Sequence, residues 1–131
     1  MILDSSAVLA ILFHEPNAKS YADAIEDNPV RRISAATLLE LSIVVESQNG
    51  ASGLHDLEHF IRQAEIVIEP FTAEQAFLAQ RAWSLYGRGK HPAKLNFGDC
   101  FSYALAKSLD EPLLFKGSDF SLTDIEPAIQ P

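Results

Sequence analysis

The sequence predicts an α/β fold of three layers, a central parallel sheet with helices on both faces, and three observations predict it. Short apolar runs at Ile2-Leu3, Ile66-Val67-Ile68 and Leu113-Leu114-Phe115 read as strands, and segments of helical periodicity separate them. Strands that alternate with helices imply parallel β-α-β units, whose sheet is covered on both sides. The length of 131 residues, 47% of them apolar, suits one domain over residues 1–131 that buries a core without disulfides.

Ile2-Leu3 is a buried strand that stops at Asp4, with Ser5 or Ser6 free to cap a helix over Ala7 to Phe13. Pro16 opens a second helix to about Asp27, with Tyr21, Ala22 and Ile25 on one face. A short strand follows around Arg32-Ile33-Ser34. Ala35 to Gln48 forms a strong helix that Asn49-Gly50 ends through a left-handed cap. Leu54, Leu57, Ile61 and Ala64 mark an amphipathic helix. The β-branched run 66–68 is terminated by Pro70. Thr72 and Gln75 make a capping box for a helix to about Tyr86, and a basic loop runs from Gly87 to Leu95. A helix from near Gly98 ends before Glu111-Pro112. The strand 113–115 follows, and a last short strand is expected near Ile125.

Composition narrows the classes of function. A single cysteine, Cys100, excludes an internal disulfide and fits a reducing compartment; without a histidine or cysteine at ligand spacing it reads as a buried packing thiol. The apolar stretch Ala7 to Phe13 lacks a basic leader and a cleavage site, and no run is long enough to span a membrane, so a cytoplasmic protein with no membrane partner is expected. The net charge of −8 opposes a nucleic-acid partner at first sight. Its distribution does not, because the stretch between Gln75 and Gly98 holds no acid but carries Arg81, Arg88, Lys90, His91 and Lys94. Such a strip can hold a phosphate backbone, or can be a solvated helix end and loop.

Parallel sheets place ligands beyond the carboxyl ends of their strands, at the topological switch point. Four acids fall where that rule directs attention. Asp4 ends the first strand, where it could serve function or cap a helix. Glu40, inside Leu38-Leu39-Glu40-Leu41, has Ala36, Thr37, Ile43 and Val44 as helical neighbours. A carboxylate on such a face is paired, protonated, bound to a cation, or reaching solvent from its edge. Asp99 lies in a first helical turn, where the macrodipole alone would favour it. Asp119 follows a strand within Lys116-Gly117-Ser118-Asp119-Phe120 and could equally hold a turn. Together, two acids past strand ends and two on helices would converge on one rim and repel unless divalent cations neutralised them. Ligands that are all oxygen favour Mg²⁺ or Mn²⁺, which activate water and stabilise phosphoryl charge. His14, His55, His59 and His91 form no comparable set, and no glycine-rich phosphate loop is present.

At these residues the chain resembles the PIN-domain ribonucleases and, within them, the VapC-type toxins of bacterial toxin–antitoxin pairs. The resemblance runs essentially end to end. It is carried by Met1 to Leu9 (MILDSSAVL), by Ser34 to Leu41 (SAATLLEL), by Leu113 to Phe120 (LLFKGSDF) and, most specifically, by Leu95 to Ala106 (LNFGDCFSYALA). It implies a PIN-like, Rossmann-like fold with Asp4, Glu40, Asp99 and Asp119 as catalytic metal ligands and Ser6 supporting through its hydroxyl. It implies endonucleolytic cleavage of RNA by a metal-activated water, a homodimer, and a cognate antitoxin whose C-terminal segment blocks the groove. Many members carry an acid or Asn where this chain has Ser118, so a further acid beside the ligands is missing here.

Two other classes compete. An aspartate-nucleophile phosphotransfer protein would need a second acid at position 6, where Ser6 stands, or the adjacent early acids of a receiver, and Asp4-Ser5-Ser6 offers neither. A non-catalytic binding module of the same fold would have little reason to keep all four acids.

Overall fold

A computed structural model describes residues 1–130. In chain order the elements are β1 (Ile2–Leu3), α1 (Ser5–Leu12), α2 (Ala18–Asp27), β2 (Arg32–Ser34), α3 (Ala35–Gln63), β3 (Val67–Glu69), α4 (Ala73–Tyr86), α5 (Phe97–Leu109) and β4 (Leu113–Leu114), followed by a 3₁₀ turn (Phe120–Leu122). The four strands form one sheet in the order β3-β2-β1-β4, parallel at every pairing. Ile2 is paired with both Arg32 and Leu113, so β1 is central. The chain therefore builds outward from β1 to β3 and then returns to the other side of β1. That reversal puts the switch point between β1 and β4.

The two-residue β1 is covered on both faces, and its side chains alternate between two cores as a strand's must. Leu3, Ile33 and Leu114 join Ala7, Val8, Tyr21, Leu41 and Leu57 beneath α1, α2 and α3. Ile2 and Leu113 join Ala82, Leu95, Ala104 and Leu105 beneath α4 and α5. Ile2, Leu3 and Leu113 are wholly excluded from water, each stabilising the fold by about 1.5–3 kcal/mol. Two helical layers around one sheet result. Among the described residues no helix is long and apolar enough to cross a membrane.

Several local expectations are altered by packing. Asp4 itself, and neither Ser5 nor Ser6, caps α1 by accepting from Ser6 N–H. The second helix begins at Ala18. Thr72 caps α4 through Gln75 N–H, but the Gln75 amide donates to Pro70 O, so the box is half made. The strand expected near Ile125 is a single parallel bridge between Leu113 and Pro127, in which Leu113 N–H donates to Glu126 O and Ala128 N–H to Leu113 O. That last segment is nonetheless anchored, with the Tyr103 hydroxyl donating to Asp124 at 2.8 Å.

The largest departure is at Gly50. Helical structure resumes at once beyond it, so α3 comprises two segments meeting at a kink. Gly50 has the positive φ that a terminator needs, but its φ of 62° and ψ of −146° lie in a region open essentially to glycine alone. The kink turns Leu57 back onto the core that holds Leu41 and Val45. A Cβ at residue 50 would meet nothing within 4 Å, so only backbone strain opposes substitution. Gly50→Ala should therefore destabilise the protein by about 1–3 kcal/mol, read from the midpoint of urea unfolding with an unchanged slope.

Candidate active site

The carboxyl rim of the sheet is where the candidate residues meet. Asp4 leaves the end of β1, and its backbone N–H donates to Leu114 O of β4 at 2.9 Å. Ser34 ends β2 and caps α3 in one residue, accepting from Ala36 N–H, so Glu40 lies in the second turn of a helix that starts at this rim. Helix α5 leads into β4 from the opposite end of the sheet, which leaves its N-terminus, with Asp99, at the same rim. Asp119 begins the 3₁₀ turn beyond β4.

Asp4 is only 2% exposed, and its carboxylate is answered by three donors. Oδ2 accepts from Ser6 N–H at 3.1 Å and from the Ser6 hydroxyl at 2.6 Å. Oδ1 accepts from the Ser102 hydroxyl at 2.5 Å. Ser6 Oγ in turn accepts from Lys116 N–H at 2.9 Å, tying the end of β1 to the segment that carries Asp119. The sequence points to Ser6 but not to Ser102, which lies 98 residues from Asp4 along the chain. Its one signal is position: Ser102 stands one helical turn beyond Asp99 and shares its face.

Glu40 is half-buried, with its carboxylate packed against the Cα of Gly98, so closely that a methyl group there would overlap it. Burial raises its pKa, the negative charge of Asp4 adds to the rise, and Ser5 beside it opposes the shift. Asp99 makes a full capping box with Asn96, each side chain accepting the other's backbone N–H at 2.9 Å. Its carboxyl is nonetheless pushed up to about 6, first by burial and then by Asp4, Asp119 and Glu40, against the Asn96 N–H. The bland role of an acid at a helix N-terminus and a place among the four acids therefore coincide in one side chain. Asp119 is exposed and makes no side-chain capping bond.

These four acids sense one another without closing a cage. Among the described residues, no three His, Cys, Asp or Glu side chains stand close enough to hold an ion as they are arranged. Asp4 is engaged by hydroxyls, Asp99 by its capping box and Glu40 by Gly98, while mutual repulsion opposes closer approach. The donor set is all oxygen, the chemistry of a hard divalent cation.

Cys100, next to Asp99, is a free and buried thiol, and burial with the neighbouring Asp99 pushes it up to about 11. It is packing, not a nucleophile. His14, His55 and His59 are exposed, while His91 accepts from Ala93 N–H and stacks edge-on against Tyr86, so it shapes the basic loop. Arg88, Lys90 and Lys94 are all exposed on that loop. Arg88 lines one apolar groove with Trp83, Asn96 and Phe97, beside Asp99, and Lys90 lies over the Trp83 ring.

Comparison with known proteins bears on the family and the fold. A family model described as the PIN domain matches residues 1–126. Ribonuclease VapC28 of Mycobacterium tuberculosis is 51% identical over 130 residues, covering 98% of either chain. Among solved structures, M. tuberculosis VapC20, described as a sarcin–ricin loop cleaving toxin, superposes with a TM-score of 0.78 at 16% identity, covering 99% of this chain and 98% of its own. VapBC2 of Rickettsia felis, bound to a DNA fragment from its promoter, superposes with a TM-score of 0.74 at 18% identity over 96% and 95% of the two chains. At those identities the structures attest the fold alone.

Convergence of the acids can be measured without any metal. In a carboxyl ¹³C titration of the metal-free protein, Asp99 should titrate near 6. Glu40→Gln removes a like charge and should move that midpoint down toward the ordinary carboxylate range. An unmoved midpoint would place Glu40 too far away to matter.

Proposed function

The chain belongs to the PIN-domain family, and from that membership we propose that it is a divalent-metal-dependent endoribonuclease, the toxin of a VapBC-type toxin–antitoxin pair. Likeness to a named VapC ribonuclease over nearly its whole length supports the activity. One arrangement carries the site: Asp4 at the end of β1, Glu40 against Gly98, Asp99 at the start of α5 and Asp119 beyond β4 lie toward one rim at the switch point of a parallel sheet, and burial first, then the charges of the other three, raise Asp99. Mg²⁺ or Mn²⁺ fits that donor set and relieves its repulsion, with Asp4, Glu40, Asp99 and Asp119 as the residues that would hold it. When bound, such a cation supplies Lewis acidity toward a phosphoryl oxygen and toward water.

The chain's own residues supply positioning. Asp4 is the most firmly held of the four, fixed from both sides by hydroxyl groups. Ser6 couples its orientation to the backbone beyond β4, and Ser5 stands beside Glu40. Gly98 brings the α5 backbone against the Glu40 carboxylate, which a side chain there would displace. Arg88, Lys90 and Lys94 hold the RNA backbone through phosphate contacts that position a strand without reading it.

The partners are an RNA substrate and a cognate antitoxin whose C-terminal segment covers the groove, and the toxin works as a homodimer. Phe77 and Phe97, 76% and 77% exposed, offer apolar surface of the kind that protein partners cover. Cytoplasmic residence agrees with a free thiol and with RNA as substrate.

Asp4→Asn tests the activity. Asn keeps one acceptor for the α1 cap, and its amide can donate to a rotated Ser102 hydroxyl, so the fold should hold. Cleavage of RNA in Mg²⁺ should fall by more than about a hundredfold, beyond the loss usual for removing a mere partner of a metal ligand. Undiminished cleavage by the purified variant would refute the site. The strip has a separate test. With Asp4→Asn in both proteins to prevent cleavage, replacing Arg88, Lys90 and Lys94 by Ala should weaken RNA binding. The salt dependence should also flatten, by about 0.7 in logarithmic slope for each lost single-strand phosphate contact. Coincident slopes would make the strip ordinary solvated surface.

A further inference from the structure

We propose that Ser102 is a positioning residue for the metal site, its buried hydroxyl aiming the Asp4 carboxylate at the position a divalent cation would occupy. The inference deepens the ribonuclease reading and rests on it.

A serine inside a helix ordinarily donates to the carbonyl one turn back, which satisfies it locally. This protein does so twice, with Ser42 Oγ donating to Leu38 O at 2.8 Å and Ser47 Oγ to Ile43 O at 2.7 Å. Ser102 departs from that habit. It is wholly excluded from water in the middle of α5, and its hydroxyl donates to Asp4 Oδ1 across the interior at 2.5 Å. A hydroxyl that donates to a charged carboxylate makes a bond about twice as strong as a neutral one.

The geometry also divides labour between the two oxygens. Ser6 takes Oδ2 from within the α1 cap, its N–H making the bond that any capping acid would receive and its hydroxyl adding a second. Cap bonds on one oxygen leave the carboxylate free to swing about that edge. Ser102 removes the freedom by holding Oδ1 from a different element. Ser6 takes both lone-pair sites of Oδ2, whereas Oδ1 accepts from Ser102 alone and keeps the open site of a carboxylate that offers about four. Because Ser102 and Asp99 lie one turn apart on α5, a single rigid helix face presents one acid to the rim and aims another.

The test is Mn²⁺ binding to the RNA-free protein, by titration calorimetry and by loss of the free-ion EPR signal, with unfolding midpoints measured alongside. Ser102→Ala should remain folded and bind Mn²⁺ about ten- to a hundredfold more weakly, the usual loss when a partner that orients a metal ligand is removed. Ser102→Thr keeps the hydroxyl and should restore binding to within about threefold of the parent, by the same measure of what the hydroxyl supplies. If the Ala variant does not fold, Ser102→Cys, nearly the same size with a poor donor, takes its place and should show the same loss. Folded hydroxyl-free variants that bind Mn²⁺ like the parent would overturn the proposal. So would failure of both to fold, since the hydroxyl would then be holding up the structure and not directing a ligand. A parent protein that binds no Mn²⁺ is a separate result, overturning the metal site itself and this inference with it.

Discussion

A carboxylate almost excluded from water, at the end of the most buried strand in the molecule, is the constraint around which the structure is arranged. Asp4 follows two side chains with no exposure at all, so its charge cannot be solvated by moving the strand outward. Burying such a group without donors would cost several kcal/mol or force it to take a proton. The fold answers with donors from two directions, and each ties a different element to the centre. Ser6 joins the start of α1 to the backbone past β4. Ser102 joins α5 to β1. One polar residue therefore links the helical layers on both faces of the sheet.

The other acids follow from the same topology. A parallel sheet brings strand ends and helix N-termini to one edge, and helix N-termini favour negative charge. Asp99 can cap α5 while sitting among three other carboxylates, so its local role partly offsets the repulsion that its place creates. Burial first, and then the three neighbouring charges, still hold its pKa above the ordinary carboxylate range. Like charges gathered at one rim oppose closer approach, and the hydroxyls and helix N-terminus there offset that repulsion only locally.

The net acidity of the chain is unevenly spread. The acids lie on the rim, while the exposed cations of the 87–95 loop stand beside it on a frame of backbone hydrogen bonds. Arg88 N–H donates to Leu95 O and Leu95 N–H to Tyr86 O, so the loop is held shut at its base directly before α5. Charges on a braced loop lose less freedom on binding than charges on a mobile one.

By itself the sequence determined the alternation of strands and helices, most element boundaries, the burial of Cys100 and the identity of the four acids worth examining. Those features are written in local signals: apolar periodicity, capping residues, turn residues, and acids standing just past apolar runs, all of which act over a few residues. Tertiary structure alone decided the rest. Gly50 carries the φ of a terminator, but whether the chain leaves the helix or kinks and continues depended on the core that Leu57 had to reach. Of the caps the sequence left open, Asp4, Ser5 and Ser6, the fold uses Asp4, whose side chain accepts from Ser6 N–H. Ser102 showed only its position one turn beyond Asp99, since nothing local reveals that its hydroxyl ignores the nearest carbonyl for a carboxylate 98 residues away. Nor could the elevation of Asp99 be read, since burial causes it first and charges brought from three separate elements increase it. Backbone preference is set by neighbours in the chain, whereas burial and Coulomb energy are set by neighbours in space, and only the packed fold determines which those are.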